Sequence, residues 1–318
     1  MGYIDLHCDT LSALIQGNVG DNLRQNHLCI DLNGMKQART YAQFFACFVY
    51  VRENHPEAWE TAYGRVQEMI SKMKQEEGEQ LQIARSYEEI QKHGEKGIIS
   101  AILTVEEGGV LNGKIDRLEA LYDQGIRLMT LTWNFENCLG FPNSRDWTVM
   151  ERGLKPFGRK IIGKMNELGM LIDVSHLSDG GFWDCVKLSN TPIVASHSNA
   201  RSLCSHPRNL SDEMLKALAG KGGVAGLNFY PAFLKESGKV CLADIARHAA
   251  HMIHVAGEDV VAIGTDFDGY EAEADENYIS YAGEMEKVWD AMKKEGITER
   301  QIDKIQSQNA LRVIREVL

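Results

Sequence analysis

Near its amino terminus the chain reads Asp5-Leu6-His7-Cys8-Asp9-Thr10. In an extended strand residues i and i+2 share a face, so His7 and Asp9 project together while Cys8 turns away and packs. An imidazole and a carboxylate on one face can hold a divalent metal ion. Related residues recur where later apolar runs end: Glu106-Glu107-Gly108-Gly109, Asp173-Val174-Ser175-His176, Ser196-His197-Ser198 and Gly264-Thr265-Asp266-Phe267-Asp268-Gly269. Taken singly, each reads as a hydrogen-bonded structural residue, and H-x-D is short enough to arise by chance. Brought to one rim, three imidazoles and at least three carboxylates are another matter, because burying unpaired charge is costly. A divalent cation offsets such a cluster, and this donor set suits zinc or a neighbouring transition metal.

A scaffold must carry those residues to one place. Short β-branched runs at Tyr3–His7, Phe44–Val51, Ile99–Val105, Arg127–Trp133, Leu171–Ser175, Pro192–Ser196, Gly223–Phe229 and Val260–Thr265 predict strands. Between them, Glu57–Glu77, Lys114–Gln124, Lys155–Leu168, Asp179–Leu188, Asp212–Lys221 and Ala243–Ala256 have helical spacing, and Ser211 and Gly222 punctuate one of these at start and end. Apolar strands alternating with amphipathic helices imply a parallel sheet with its outer face covered. Eight such units predict an α/β fold of the (β/α)8 TIM-barrel type, with further helices in Ile279–Leu318. The competing fold, an open doubly wound sheet, would usually place a glycine-rich loop after its first strand, where this chain has His7-Cys8-Asp9-Thr10. A barrel collects catalytic groups at the carboxyl ends of its strands.

The 318 residues are 44% hydrophobic and 25% charged, consistent with one barrel domain over 1–318. A formal charge of -11 argues against a nucleic-acid surface. Seven scattered cysteines, without a C-x-x-C pair, fit free thiols in a reducing compartment. There is no apolar run of membrane length, no signal-peptide pattern in MGYIDLHCDT, and no lipid-anchor signal; the expectation is a cytoplasmic protein without a membrane partner. His248, His251 and His254 recur every third residue and read as a solvated helix face, while Glu271–Glu276 reads as an exposed loop.

With these residues in place, the chain resembles the renal (membrane) dipeptidase family of zinc peptidases, which are amidohydrolase-like barrels. The likeness rests on His7-x-Asp9, Glu107-Gly108-Gly109, His176, His197 with Arg208 downstream, and Asp266-Phe267-Asp268-Gly269. It runs in order along essentially the whole chain, to Asn309-Ala310-Leu311-Arg312-Val313. The resemblance implies a binuclear dipeptidase with two Zn2+ per chain: His7 and Asp9 on one, His176 and His197 on the other, and Glu107 bridging. Glu107 is preferred to Glu106 because the family's bridging Glu directly precedes Gly-Gly. Asp266 matches the acidic residue that handles protons beside the metals. Arg208 matches a residue that grips the carboxylate of the dipeptide substrate, a task suited to its planar fork of donors. The implied chemistry is attack by a metal-bridging hydroxide, since two close cations acidify a shared water. A homodimer is also implied, although no interface motif marks it.

Two positions depart from the family. Well-known members have a His, thought to stabilise the tetrahedral intermediate, where Trp133 stands; indole offers a single N–H donor. Trp133 and Asn134 are therefore candidate substrate contacts of a different kind, and Phe233 stands where some relatives have Tyr. The competing functional readings are a related hydrolase acting on another amide or lactone, and a metal-binding homologue without turnover.

Overall fold

The computed structural model describes residues 2–17, 21–271 and 278–318, so most of the acidic 271–276 stretch lies outside the described residues. The chain forms strands β1 (Tyr3–Cys8), β2 (Thr40–Phe48), β3 (Leu81–Ile83), β4 (Ile99–Glu106), β5 (Ile126–Thr130), β6 (Leu171–Asp173), β7 (Val194–Ala195), β8 (Val224–Leu227) and β9 (Val261–Ile263). All pairings between them are parallel. The ring runs β1-β2-β4-β5-β6-β7-β8-β9 and closes from β9 back to β1. It is the closed eight-stranded barrel that the alternation of apolar runs predicts. The short β3, not anticipated from the sequence, adds to the start of β4 outside the ring.

Strand alternation divides the barrel into two apolar compartments. Ile4, Phe44, Ile102, Leu128, Val194 and Ala262 share one buried cluster with Ala310, Val313 and Ile314 of the last helix, Asn309–Val317. That helix sits at the amino-terminal ends of the strands: Asn309 Nδ2 donates to Glu258 O and Val261 O, both at 2.8 Å. Leu103 and Val105 face the other way, into a cluster with Val66, Leu118, Ile161 and Leu215 of the surrounding helices. Each fully buried Leu, Val or Ile contributes about 1.5–3 kcal/mol, so this sandwich of strand between two apolar layers fixes which face each residue takes.

The helices begin and end close to where their punctuation predicts. Ser211 Oγ accepts from Met214 N to cap Asp212–Gly220, and Gly222 follows with φ of 74°. The three-residue histidine repeat on the helix Leu242–Ala256 is not uniformly solvated. His254 is exposed and His251 pairs with Asp212 at 2.8 Å, but His248 is 1% exposed. Its Nδ1 accepts from Ala200 N and its Nε2 donates to Leu234 O, so it ties this helix to the segment after β7. That replaces the solvated reading for His248: the repeat carries one core residue and two outer ones.

Candidate metal centre

The mouth is built where the strands stop. The β1–β2 register slips between Asp5 and Cys8, which leaves Cys8 opposite Phe45 with its thiol on Phe44 O. His7 then faces the barrel axis, 1% exposed, and Asp9 follows at the start of the helix Thr10–Gln16. His7 Nε2 lies 3.4 Å from Asp9 Oδ2, 3.2 Å from Glu106 Oε2 and 3.8 Å from Asp266 Oδ1. Across the mouth, His176 Nε2 and His197 Nε2 lie 3.1 and 3.6 Å from Glu106 Oε1. One carboxylate thus spans two donor groups, one oxygen toward each.

That carboxylate is Glu106 and not Glu107. Along β4 the residues alternate, so Ile102 and Glu106 share the inner face while Leu103, Val105 and Glu107 share the outer one. Glu107 accepts from Gly109 N at 2.8 Å, from Trp133 N at 2.9 Å and from Asn137 Nδ2. Glu107, expected to bridge the metals, is placed instead with its oxygens on the turn after β4 at Gly109 and on the loop after β5, away from the imidazoles.

Both distal imidazoles have their tautomer set from behind. Ser196 Oγ donates to Asp173 Oδ2 at 2.6 Å and accepts from His197 Nδ1 at 2.7 Å. Asn134 Oδ1 accepts from His176 Nδ1 at 2.9 Å. Each ring therefore presents an unprotonated Nε2, and these two lone pairs lie 3.0 Å apart. Burial and the positive neighbours Arg208 and His7 hold both pKa values well below the usual imidazole range. Two acceptors this close repel unless a cation takes both. Several buried atoms here have no hydrogen-bond partner among the described residues: both ring nitrogens of His7, Asp9 Oδ1 and Glu106 Oε1. This is the signature of a shell built for a divalent ion, and the donor set fits zinc-type chemistry. His7, Glu106 and His197 each offer a ligand atom within 4.8 Å of one another, and so do His7, Asp9 and Asp266.

The carboxylates feel the crowding. Burial pushes Glu106 up to about 7 and Asp266 up to about 6, with His7 pulling against the shift in both. Asp266 Oδ2 accepts from Asn228 Nδ2 at 2.9 Å, and Asp268 accepts from Thr10 Oγ1 and Cys29 N. His176, Asp266 and Asp268 all adopt positive φ, between 62° and 66°, costing on the order of 1–3 kcal/mol apiece. Gly269 allows this approach, because a Cβ there would stand 2.5 Å from Asp9 Oδ2 and 2.6 Å from Asp266 Oδ1.

Arg208 is 4% exposed beside this cluster. It donates to Ser198 Oγ and His197 O at 3.1 Å each and lies over the Phe233 ring, while its Nε has no partner among the described residues. A cleft of about 640 Å³ covers the mouth, with Trp133, Asn134, Tyr230 and Phe233 on its walls. Trp133 packs edge-on against Phe48 and Tyr50 at 5.1 and 5.4 Å. Asn134, expected as a substrate contact, lines the cleft and also orients His176. Glu106, Ser196, Asp173 and Asn228 are the residues for which the sequence reading proposed no role. For Glu106 the period-two pattern of β4 was an available signal; the others are recognisable only from partners distant in sequence.

The family model for membrane dipeptidase (peptidase family M19) matches residues 1–318. An uncharacterised protein of Klebsiella pneumoniae encoded in the pqqA 5′ region is 35% identical over 247 residues, covering 74% of this chain and 89% of that protein. An uncharacterised dipeptidase of Schizosaccharomyces pombe is 30% identical over 259 residues, 75% of this chain but 60% of that longer protein. Among solved structures, a metallopeptidase from Rhodobacter sphaeroides, bound to a phosphinate mimic of the dipeptide L-Ala-D-Ala, superposes with a TM-score of 0.87. It is 25% identical, and the match covers 100% of this chain and 99% of that one.

Proposed function

Because this chain belongs to the membrane dipeptidase family, a family of metal-dependent hydrolases, we propose that it cleaves dipeptides at a centre of two zinc ions. The observation that carries this reading is Glu106, whose oxygens reach His7 on one side and the His176–His197 pair on the other. His7, Asp9 and Glu106 would hold one ion, and Glu106, His176 and His197 the second. When bound, two such ions acidify a shared water and polarise the scissile carbonyl.

The remaining work falls to the chain itself. Asp266, beside His7 and held through its other oxygen by Asn228, accepts the proton of the attacking water and returns it to the leaving amine. Arg208 holds the substrate's carboxylate through the capacity left at its guanidinium, and its burial strengthens that contact by excluding water. Asn134 keeps His176 in the tautomer that faces the cleft. Trp133 supplies a wall and not a proton donor to the cleft.

The reading treats residues 1–318 as one hydrolase domain. Seven free cysteines agree with a reducing compartment, and among the described residues no helix is long and apolar enough to cross a membrane. Purified protein should release amino acids from a dipeptide panel and stop when a chelator is added. Undiminished turnover after verified removal of metal would contradict the proposal.

A further inference from the structure

Beside the cleft lies a second cavity of about 440 Å³, between the helix Thr10–Gln16 and the helix Pro56–Glu76. Ser12, Gln16, Phe48 and Tyr50 line both, so the two spaces are contiguous. The cleft alone already has the volume of a small-molecule site, and the cavity is room beyond it. Its lining is mixed: Ile15, Phe48, Val49 and Met69 supply the apolar part, Ser12 and Gln16 stand among them, and Arg65 and Glu68 are exposed at its outer edge. Ile15 and Tyr50, at 42% and 53% exposure, are among the few large apolar side chains left open to solvent. An apolar surface kept open beside a reactive cleft is better explained by a ligand than by the core.

The topology decides which part of a substrate reaches it. Arg208 lies in the segment after β7, with its guanidinium on His197 O, whereas Phe48 ends β2. In the eight-strand ring β2 and β7 stand opposite one another. A dipeptide whose carboxylate sits at Arg208 and whose peptide bond lies at the Glu106 centre has its amino-terminal residue on the β2 side. We propose that the cavity beyond Phe48 and Tyr50 receives the side chain of the substrate's amino-terminal residue and selects a large apolar or aromatic one. The exposed Arg65 and Glu68 leave the far end wet, so a polar tip on an apolar stem is accepted as well. This inference rests on the dipeptidase reading and deepens it.

The test compares kcat/KM for Phe-Ala, Ala-Phe and Ala-Ala in the metal-loaded enzyme. Burial of a phenyl ring in the cavity should favour Phe-Ala over Ala-Ala by about ten- to a hundredfold. Ile15→Trp, from a half-exposed helix position, fills the cavity and should collapse the Phe-Ala to Ala-Ala ratio toward one, leaving the Ala-Phe to Ala-Ala ratio in place. Glu68→Trp should do the same from the opposite wall and guards against a folding defect in either variant. Turnover of dipeptides without a preference for Phe-Ala, or with a preference that both variants retain, overturns the subsite alone. Turnover of no dipeptide overturns the functional reading beneath it.

Discussion

Glu106 and Glu107 are adjacent, both buried and both shifted up to about 7 by that burial, yet they should respond to the same substitution in opposite ways. Glu107 receives three N–H groups, two on Oε1 and one on Oε2. A glutamine has one carbonyl oxygen, so Glu107→Gln leaves at least one of those donors facing an amide NH2. A buried donor left unsatisfied costs about 1–3 kcal/mol. Taking about 2 kcal/mol, a chain of this size should melt about 3 °C lower. Its metal content should stay that of the unaltered protein, because none of the three donors belongs to a proposed metal ligand. The Glu106 oxygens meet the imidazoles of His7, His176 and His197, with the Asp9 and Asp266 carboxylates close by, and among the described residues no backbone N–H donates to them. Glu106→Gln should therefore fold with little loss of stability, bind metal more than about a hundredfold more weakly, and lose turnover accordingly. Metal content by elemental analysis, thermal melting and dipeptide turnover, measured on both variants, separate the roles. If Glu107→Gln empties the site while Glu106→Gln stays loaded and active, the strand-face reasoning is wrong.

Three further outcomes follow from the same geometry. Ser196→Ala removes the hydroxyl joining Asp173 to His197 and should weaken metal binding about 10–100-fold in a competitive chelator titration; unchanged affinity would remove the relay from the account. Gly269→Ala drives a methyl against Asp9 and Asp266, so kcat/KM should fall by an order of magnitude or more with the circular dichroism spectrum unchanged; wild-type kinetics would show that the mouth yields freely. His248 is pushed down to about 4 by burial, whereas an unfolded chain protonates it near 6.5. Between those values the unfolded state binds the extra proton, so this contribution is full above about pH 6.5 and is lost as pH falls toward 4. It amounts to about 3 kcal/mol at most. Urea midpoints across that window should fall less steeply in His248→Gln than in the parent, and parallel slopes would count against the argument.

The barrel was legible because its strands are apolar on both faces and its helices carry their own start and stop residues. The strand expected over Phe44–Val51 runs instead over Thr40–Phe48, because the apolar run continues past Phe48 into the wall of the cleft and not along another strand. Three-residue β3 leaves no clear sequence signal, being short and contributing nothing to ring closure. At the site, residues at strand ends were recognisable by type and placement. The choice between Glu106 and Glu107 turned on a likeness to Glu-Gly-Gly, although the period of β4 points the other way. Asn228, Asp173 and Ser196 could not be identified beforehand: Asn228 meets Asp266 from 38 positions away, and Asp173 meets Ser196 from 23. The burial of His248 is hidden from the sequence for the same reason, its partners lying on a loop 48 residues off and at Leu234.

The central claim is that Glu106 joins two metal positions. Anomalous diffraction from crystals of the zinc-loaded protein, collected on either side of the zinc edge, tests it directly. Two peaks are expected, one among His7, Asp9 and Glu106 and one among Glu106, His176 and His197. Absence of either peak, or metal held at Glu107, would contradict it.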